Sequence, residues 1–124
     1  MARTALTLQT AVRGTGLNPT FEAATTDGQA VDNTSQRVYL HVKNTGGTVC
    51  NVTIPTPITI DGKTVTDLTF TVPATTGERI VGPFPHAVYC QVDAVLSLTH
   101  AVYINYDQVT GVTVAAIKVP AASY

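Results

Sequence analysis

The chain has 124 residues, 44% of them hydrophobic and 12% charged, with a formal net charge of −1. That length fits one domain with enough apolar material for a core, while the charge falls well below the roughly 25% usual in soluble domains. Seven scattered basic residues and a pI near 6.2 argue against sequence-independent nucleic-acid binding, which needs clustered Lys and Arg to displace phosphate counterions.

The 6% aromatic content and the absence of Trp weigh against a site that holds sugars or cations on stacked rings. Thr dominates the polar positions and Val is the commonest apolar partner; both are β-branched and favour strands. No window keeps a helical period for three turns, and no stretch approaches the roughly 18 apolar residues of a membrane span. Met1 to Leu8 alternates polar and apolar residues without the continuous apolar run of a signal peptide. The chain is therefore expected to be made and kept, or assembled, in a cytoplasm. Cys50 and Cys90 can be a disulfide or two small buried thiols, and the missing export signal favours thiols. The sequons at Asn33 and Asn51 are chance matches without secretion.

In chain order, residues 4–10 read as a first strand with Leu6 and Leu8 on one face. Residues 11–36 are rich in Gly, Thr, Ala, Asn and Asp, with turn formers at Gly14, Gly16, Asn18-Pro19 and Asp27-Gly28. The expectation is an irregular flap or an arm reaching a neighbouring subunit, so that 1–36 is an N-terminal strand and extended loop and 37–124 the β-core. Val38, Leu40 and Val42 share one parity and Tyr39, His41 and Lys43 the other, which is a half-buried strand. After the turn Asn44 to Gly47, Cys50, Val52 and Ile54 repeat the inward parity, so 38–54 is expected to be a hairpin. Pro55 and Pro57 stop that strand.

Pro57 to Val65 reads as a second hairpin with Asp61-Gly62 as its two-residue turn. Leu68, Phe70 and Val72 mark the next strand, Pro73 to Gly77 a turn, Glu78 to Val81 a short strand, and Gly82 to Pro85 its end. Val88, Cys90 and Val92 form a further inward set, followed by Ala94, Leu96 and Leu98. Val102, Ile104 and Tyr106 alternate with Ala101, Tyr103 and Asn105; residues 107–111 turn; Val112, Val114 and Ala116 make a last strand ended by Pro120. Eight to ten short strands at regular spacing predict an all-β protein. The expected architecture is an antiparallel β-sandwich or barrel of jelly-roll or Ig-like kind.

Little chemistry rises above background. His41, His86 and His100 lack metal-ligand spacing, and His41 sits on the outward parity of its strand. Ser97, His100 and Asp107 supply the residue types of a triad, but Ser97 has no elbow or glycine flanks. The aspartates form no calcium loop, and the glycines punctuate turns without leading into a helix. No cofactor or metal is expected. The most distinctive polar and aromatic cluster is Glu78-Arg79 beside Gly82-Pro83-Phe84; Arg and aromatic residues are enriched at binding hot spots. The alternative is a strand end with one exposed ion pair.

The run Arg37-Val38-Tyr39-Leu40-His41-Val42-Lys43-Asn44 resembles the R-x-[FY]-L-H-V-K-N signature of a group of small tailed-phage and prophage proteins. Ile60 to Ala74, Gly77 to Pro85 and Val88 to Gln91 are similar to the segments that follow it there, as is Val112 to Ile117 near the C-terminus. The resemblance covers most of the chain and is most specific over 37–91. It implies a small virion β-protein of the capsid decoration or cement kind, with no active site. The expected partners are the major capsid protein and the chain itself as a homotrimer at local three-fold points, with no nucleic acid and no membrane. The expected location is the capsid exterior of a virion assembled in the host cytoplasm. Candidate interface residues are Arg3, Leu6, Leu8, Glu78, Arg79, Phe84, His86 and Tyr89. The 1–36 arm is the expected lattice contact, and loss of residues 1–12 is expected to leave the core folded. Two other readings are a tail, neck or fibre-associated domain and a glycan or cell-surface binding module; an enzyme fits least.

Overall fold

The computed structural model describes residues 3–11, 14 and 16–119, and of His86 the backbone alone. Among the described residues, thirteen strands and one helical turn follow in order. They are β1 (Thr4–Ala5), β2 (Leu8–Thr10), β3 (Glu22–Ala23), β4 (Gln29–Asp32), β5 (Val38–Asn44), β6 (Cys50–Ile54), β7 (Thr59–Ile60), β8 (Lys63–Thr64), β9 (Leu68–Val72) and β10 (Gly77–Val81). The helical turn α1 (His86–Tyr89), β11 (Gln91–Asp93), β12 (Leu98–Tyr106) and β13 (Val112–Lys118) follow.

Two sheets face each other. The first runs β1-β4-β12-β6-β9, with β11 also on β12; the second runs β10-β5-β13-β2, with β3 also on β13. Each supplies its inward parity to one core: Val31, Val52, Ile54, Val102 and Ile104 from the first, Val38, Leu40, Val42, Val112 and Val114 from the second. All but Val112, at 1%, are fully buried. Burying each such side chain favours folding by about 1.5–3 kcal/mol. Phe84, 1% exposed, joins this core and meets Tyr89 edge-on at 5.5 Å. The Asn33 amide donates to the Phe84 carbonyl at 2.6 Å and ties that loop to the end of β4.

The all-β sandwich follows from the alternation; several finer expectations do not hold. The segment 38–54 is not a hairpin. β5 pairs with β10 and β13, whereas β6 pairs with β12 and β9, so the turn after Asn44 crosses from one sheet to the other. Buried Asn44 holds that crossing: its amide donates to the Thr48 carbonyl at 2.8 Å and its side-chain oxygen accepts the Gly46 N–H at 3.0 Å. Equal inward parity reports a shared core, not a shared ladder.

The described part of residues 1–36 is not an arm. β1 runs parallel to β4 in the first sheet and β2 parallel to β13 in the second, with Leu6, 6% exposed, buried at the crossing. These parallel pairs also depart from a purely antiparallel expectation. The set Val88, Cys90, Val92 is not one strand either: α1 occupies 86–89, and Val92 on β11 is 73% exposed. Pro85 starts this turn, its carbonyl accepting from the N–H groups of Val88 and Tyr89. The hairpin turning at Asp61-Gly62 forms as expected, pairing Thr59 with Thr64 and Ile60 with Lys63. Pro120, the expected end of the last strand, lies outside the described residues.

Candidate functional site

The outer face of the second sheet carries a polar and aromatic cluster. Register places Glu78 opposite Lys43 and Ile80 opposite His41, so all four side chains share that face. His41 Nε2 lies 2.8 Å from Glu78 Oε2, and Lys43 Nζ 3.8 Å from the same oxygen. The hydrogen bond from His41 holds the Glu78 carboxyl below the usual glutamate range, with Lys43 adding to the effect. Phe21 covers the pair, its ring meeting His41 edge-on at 5.0 Å with Lys43 Nζ 4.4 Å from its centroid. The strap that brings Phe21 here is pinned by Gln9, whose side chain donates to the Thr20 carbonyl at 2.7 Å and accepts its N–H at 2.8 Å. Next to this cluster β10 ends the sheet. Glu78, Arg79 and Ile80 are all exposed, Ile80 at 65%.

The outer face of the first sheet carries a second feature. The Arg3 guanidinium stacks 4.0 Å from the centroid of Tyr103, whose hydroxyl donates to Asp93 Oδ2 at 2.8 Å. Asp93 also accepts the Leu96 N–H at 3.0 Å. These two bonds hold its carboxyl below the usual range, the backbone one contributing most. Around them opens a cavity of about 350 Å³ whose walls include Val92 and Val95.

Of the eight sequence candidates, Glu78 lies on the first face and Arg3 on the second; Arg79 is exposed at the sheet edge, but its register opposite inward Val42 puts it on the other parity. Leu6 and Phe84 do not face outward: both are core residues, because their parity and the close of the sandwich leave them no outward position. Leu8 and Tyr89 are half-buried and pack against that core. The side chain of His86 lies outside what the structure describes. His41 and Lys43 were legible as the outward parity of β5, but nothing in the sequence placed Phe21 over them. Ser97 and Asp107 do not meet. They flank opposite ends of β12, roughly 30 Å long at strand rise, and Asp107 is committed to the backbone and side chain of Asn51 at 2.8 Å each.

Among the described residues, no group of three or more His, Cys, Asp and Glu side chains could hold a metal, and no helix is long and apolar enough to cross a membrane. No protein-family model matches the chain, and neither a curated protein nor a solved structure does. The fold and its faces define a two-sheet β-sandwich with a surface cluster on each outer side.

Proposed function

We propose that the chain is a tailed-bacteriophage head decoration (cement) protein: a non-enzymatic module that binds the lattice of the major capsid protein from outside, as a homotrimer. The observation that carries the reading is the β10 edge. Among the described residues its backbone pairs on one side only, and it presents Glu78 and exposed Ile80 on the outer face with exposed Arg79 between them on the opposite parity. An open edge with an exposed apolar residue is a template for strand addition or sheet-edge docking. The Gly77 to Pro85 segment, one of the stretches that resembles the phage group, includes this edge. The low charge and Thr-rich surface suit a molecule whose outer faces are covered in an assembly. Such contacts are weak singly and strong when a symmetric lattice repeats them. In this reading the mechanism is mechanical: each copy clamps neighbouring capsomers against internal pressure.

The test is quantitative mass spectrometry of purified particles of the source virus. A ratio to the major capsid protein near one, or a simple fraction set by lattice symmetry, supports the decoration role. A handful of copies per particle moves the chain to the neck or tail. Absence from particles removes the virion reading.

A further inference from the structure

Two exposed features of this chain match each other. The first is the β7–β8 ribbon. Among the described residues its strands pair only with one another, and residues 59–64 are all exposed. Asp61 and Gly62 both have positive φ, at 55° and 74°, the conformation of the tight hairpin turn that suits strand twist. A two-stranded ribbon is marginal by itself, yet this one is clasped at its base. Buried Thr56 donates its N–H to Asp67 at 2.9 Å and its hydroxyl to the Val65 carbonyl at 2.6 Å. The tip therefore presents Ile60, 64% exposed, flanked by one acid, Asp61, and one base, Lys63.

The second feature is the cavity beside Tyr103. Val92 and Val95 on its rim, 73% and 81% exposed, are the most exposed large hydrophobic residues among those described. Its walls carry one base, Arg3, and one acid, Asp93. No ribbon residue lines it.

We propose that the ribbon tip of one copy seats in the Arg3–Asp93 cavity of the next, with Ile60 against Val92 and Val95, Asp61 facing Arg3 and Lys63 facing Asp93. The occupant is a second copy because the tip offers what the cavity lacks: an apolar side chain of a size that about 350 Å³ accepts, with opposite charges for both walls. Donor and acceptor are different surfaces, so the contact is heterologous. It closes into a ring if the rotation permits and otherwise grows a chain. The inference deepens the self-association in the proposed function but needs no capsid.

The test is sedimentation equilibrium of the whole chain and of Ile60→Asp and Val95→Asp, with circular dichroism and melting curves to show that both variants fold. The expected result is an oligomer for the unaltered chain and the single-chain mass of 13.0 kDa for each variant. In an oxidised mixture of Ile60→Cys and Val95→Cys chains, the 60–95 mixed disulfide should exceed both same-site disulfides. A monomeric unaltered chain, folded variants that keep its oligomeric mass, or a preference for 60–60 linkage would each overturn the proposal. Shell binding is measured separately: a chain that assembles through the ribbon yet ignores capsids removes the lattice reading and leaves this one.

Discussion

The Tyr106 hydroxyl donates a 2.6 Å hydrogen bond to the side-chain oxygen of Gln29, a residue 1% exposed inside the sandwich. Gln29 in turn donates its amide to the Ala23 carbonyl at 3.0 Å. The chain of bonds runs from β12 through β4 to β3, and so ties the first sheet to the second. Gln29→Leu should orphan both the hydroxyl and the carbonyl and lower stability by about 1–3 kcal/mol. Tyr106→Phe should cost less, about 1 kcal/mol, since it removes one bond of the chain. Urea melts of both single variants and the double variant check this. Additive effects, with no coupling between the two sites, would contradict a shared link.

The burial of the same tyrosine predicts an alkaline response. Burial pushes the Tyr106 phenol well above its ordinary value, and burial with the Asp93 hydrogen bond raises Tyr103. A folded-state value above the unfolded one favours the neutral form. The associated stability is complete below the unfolded value of about 10 and is lost as pH rises through and above it. Tyrosinate absorbance should therefore lag behind that of the denatured chain and appear together with unfolding. Full, reversible ionisation of all five tyrosines in a chain that keeps its native circular dichroism would sink this prediction.

Leu6 makes the N-terminus part of the core. It is buried where the chain leaves the first sheet for the second, and its N–H bonds the Ala30 carbonyl at 2.8 Å. Leu6→Ala should lower stability by about 2–4 kcal/mol. Deletion of residues 1–12 should do more, because it also strips β1 and β2 from both sheets. Thermal melts separate this from a detachable arm, for which the truncated chain would melt like the whole one.

The sequence made burial legible and left partnership illegible. The alternation over 38–44, 50–54 and 102–106 identifies inward residues because side chains on a strand alternate with period two whatever the neighbour is. Whether β5 pairs β6 depends on Asn44 and the glycines after it, which turn the chain across the core and not back along the strand. The hairpin at Asp61-Gly62 was legible because its turn requires positive φ at two successive residues and its sequence supplies residues that accept it. On the two faces, Glu78 and Arg79 stood out as a local charged pair. The stacking of Arg3 on Tyr103 joins residues a hundred positions apart and left no local trace.

Three glycines separate turns that need glycine from one that does not. A Cβ at Gly77 would lie 1.8 Å from the Pro73 carbonyl oxygen, and one at Gly46 would lie 2.5 Å from that of Thr110. Both neighbours are backbone and cannot rotate away. Gly47, one residue on from Gly46, has nothing within 4 Å of such a Cβ. Gly77→Ala and Gly46→Ala should each lower the melting temperature by several degrees or prevent folding, and Gly47→Ala should leave it within about 2 °C. Equal melting temperatures for all three variants would show that the β9–β10 turn and the sheet crossing are not held as described.

The cysteines give a chemical check on the same packing. Cys50 is fully buried, with its thiol donating to the Gln108 carbonyl at 3.3 Å; Cys90 is half-buried, with the Asn33 amide 3.4 Å from its sulfur. Both are free thiols, and burial pushes both above the ordinary cysteine range. The thiolate is the nucleophile, so a raised value and a closed environment act together to slow attack. At pH 8 a disulfide reagent should label both sites of the native chain at least about a hundredfold more slowly than in denaturant, at a rate set by local opening. Cys90 should react before Cys50, since its loop is less covered. Rapid labelling of Cys50 in the folded chain would mean that β6 opens far more readily than its buried position between β12 and β9 allows.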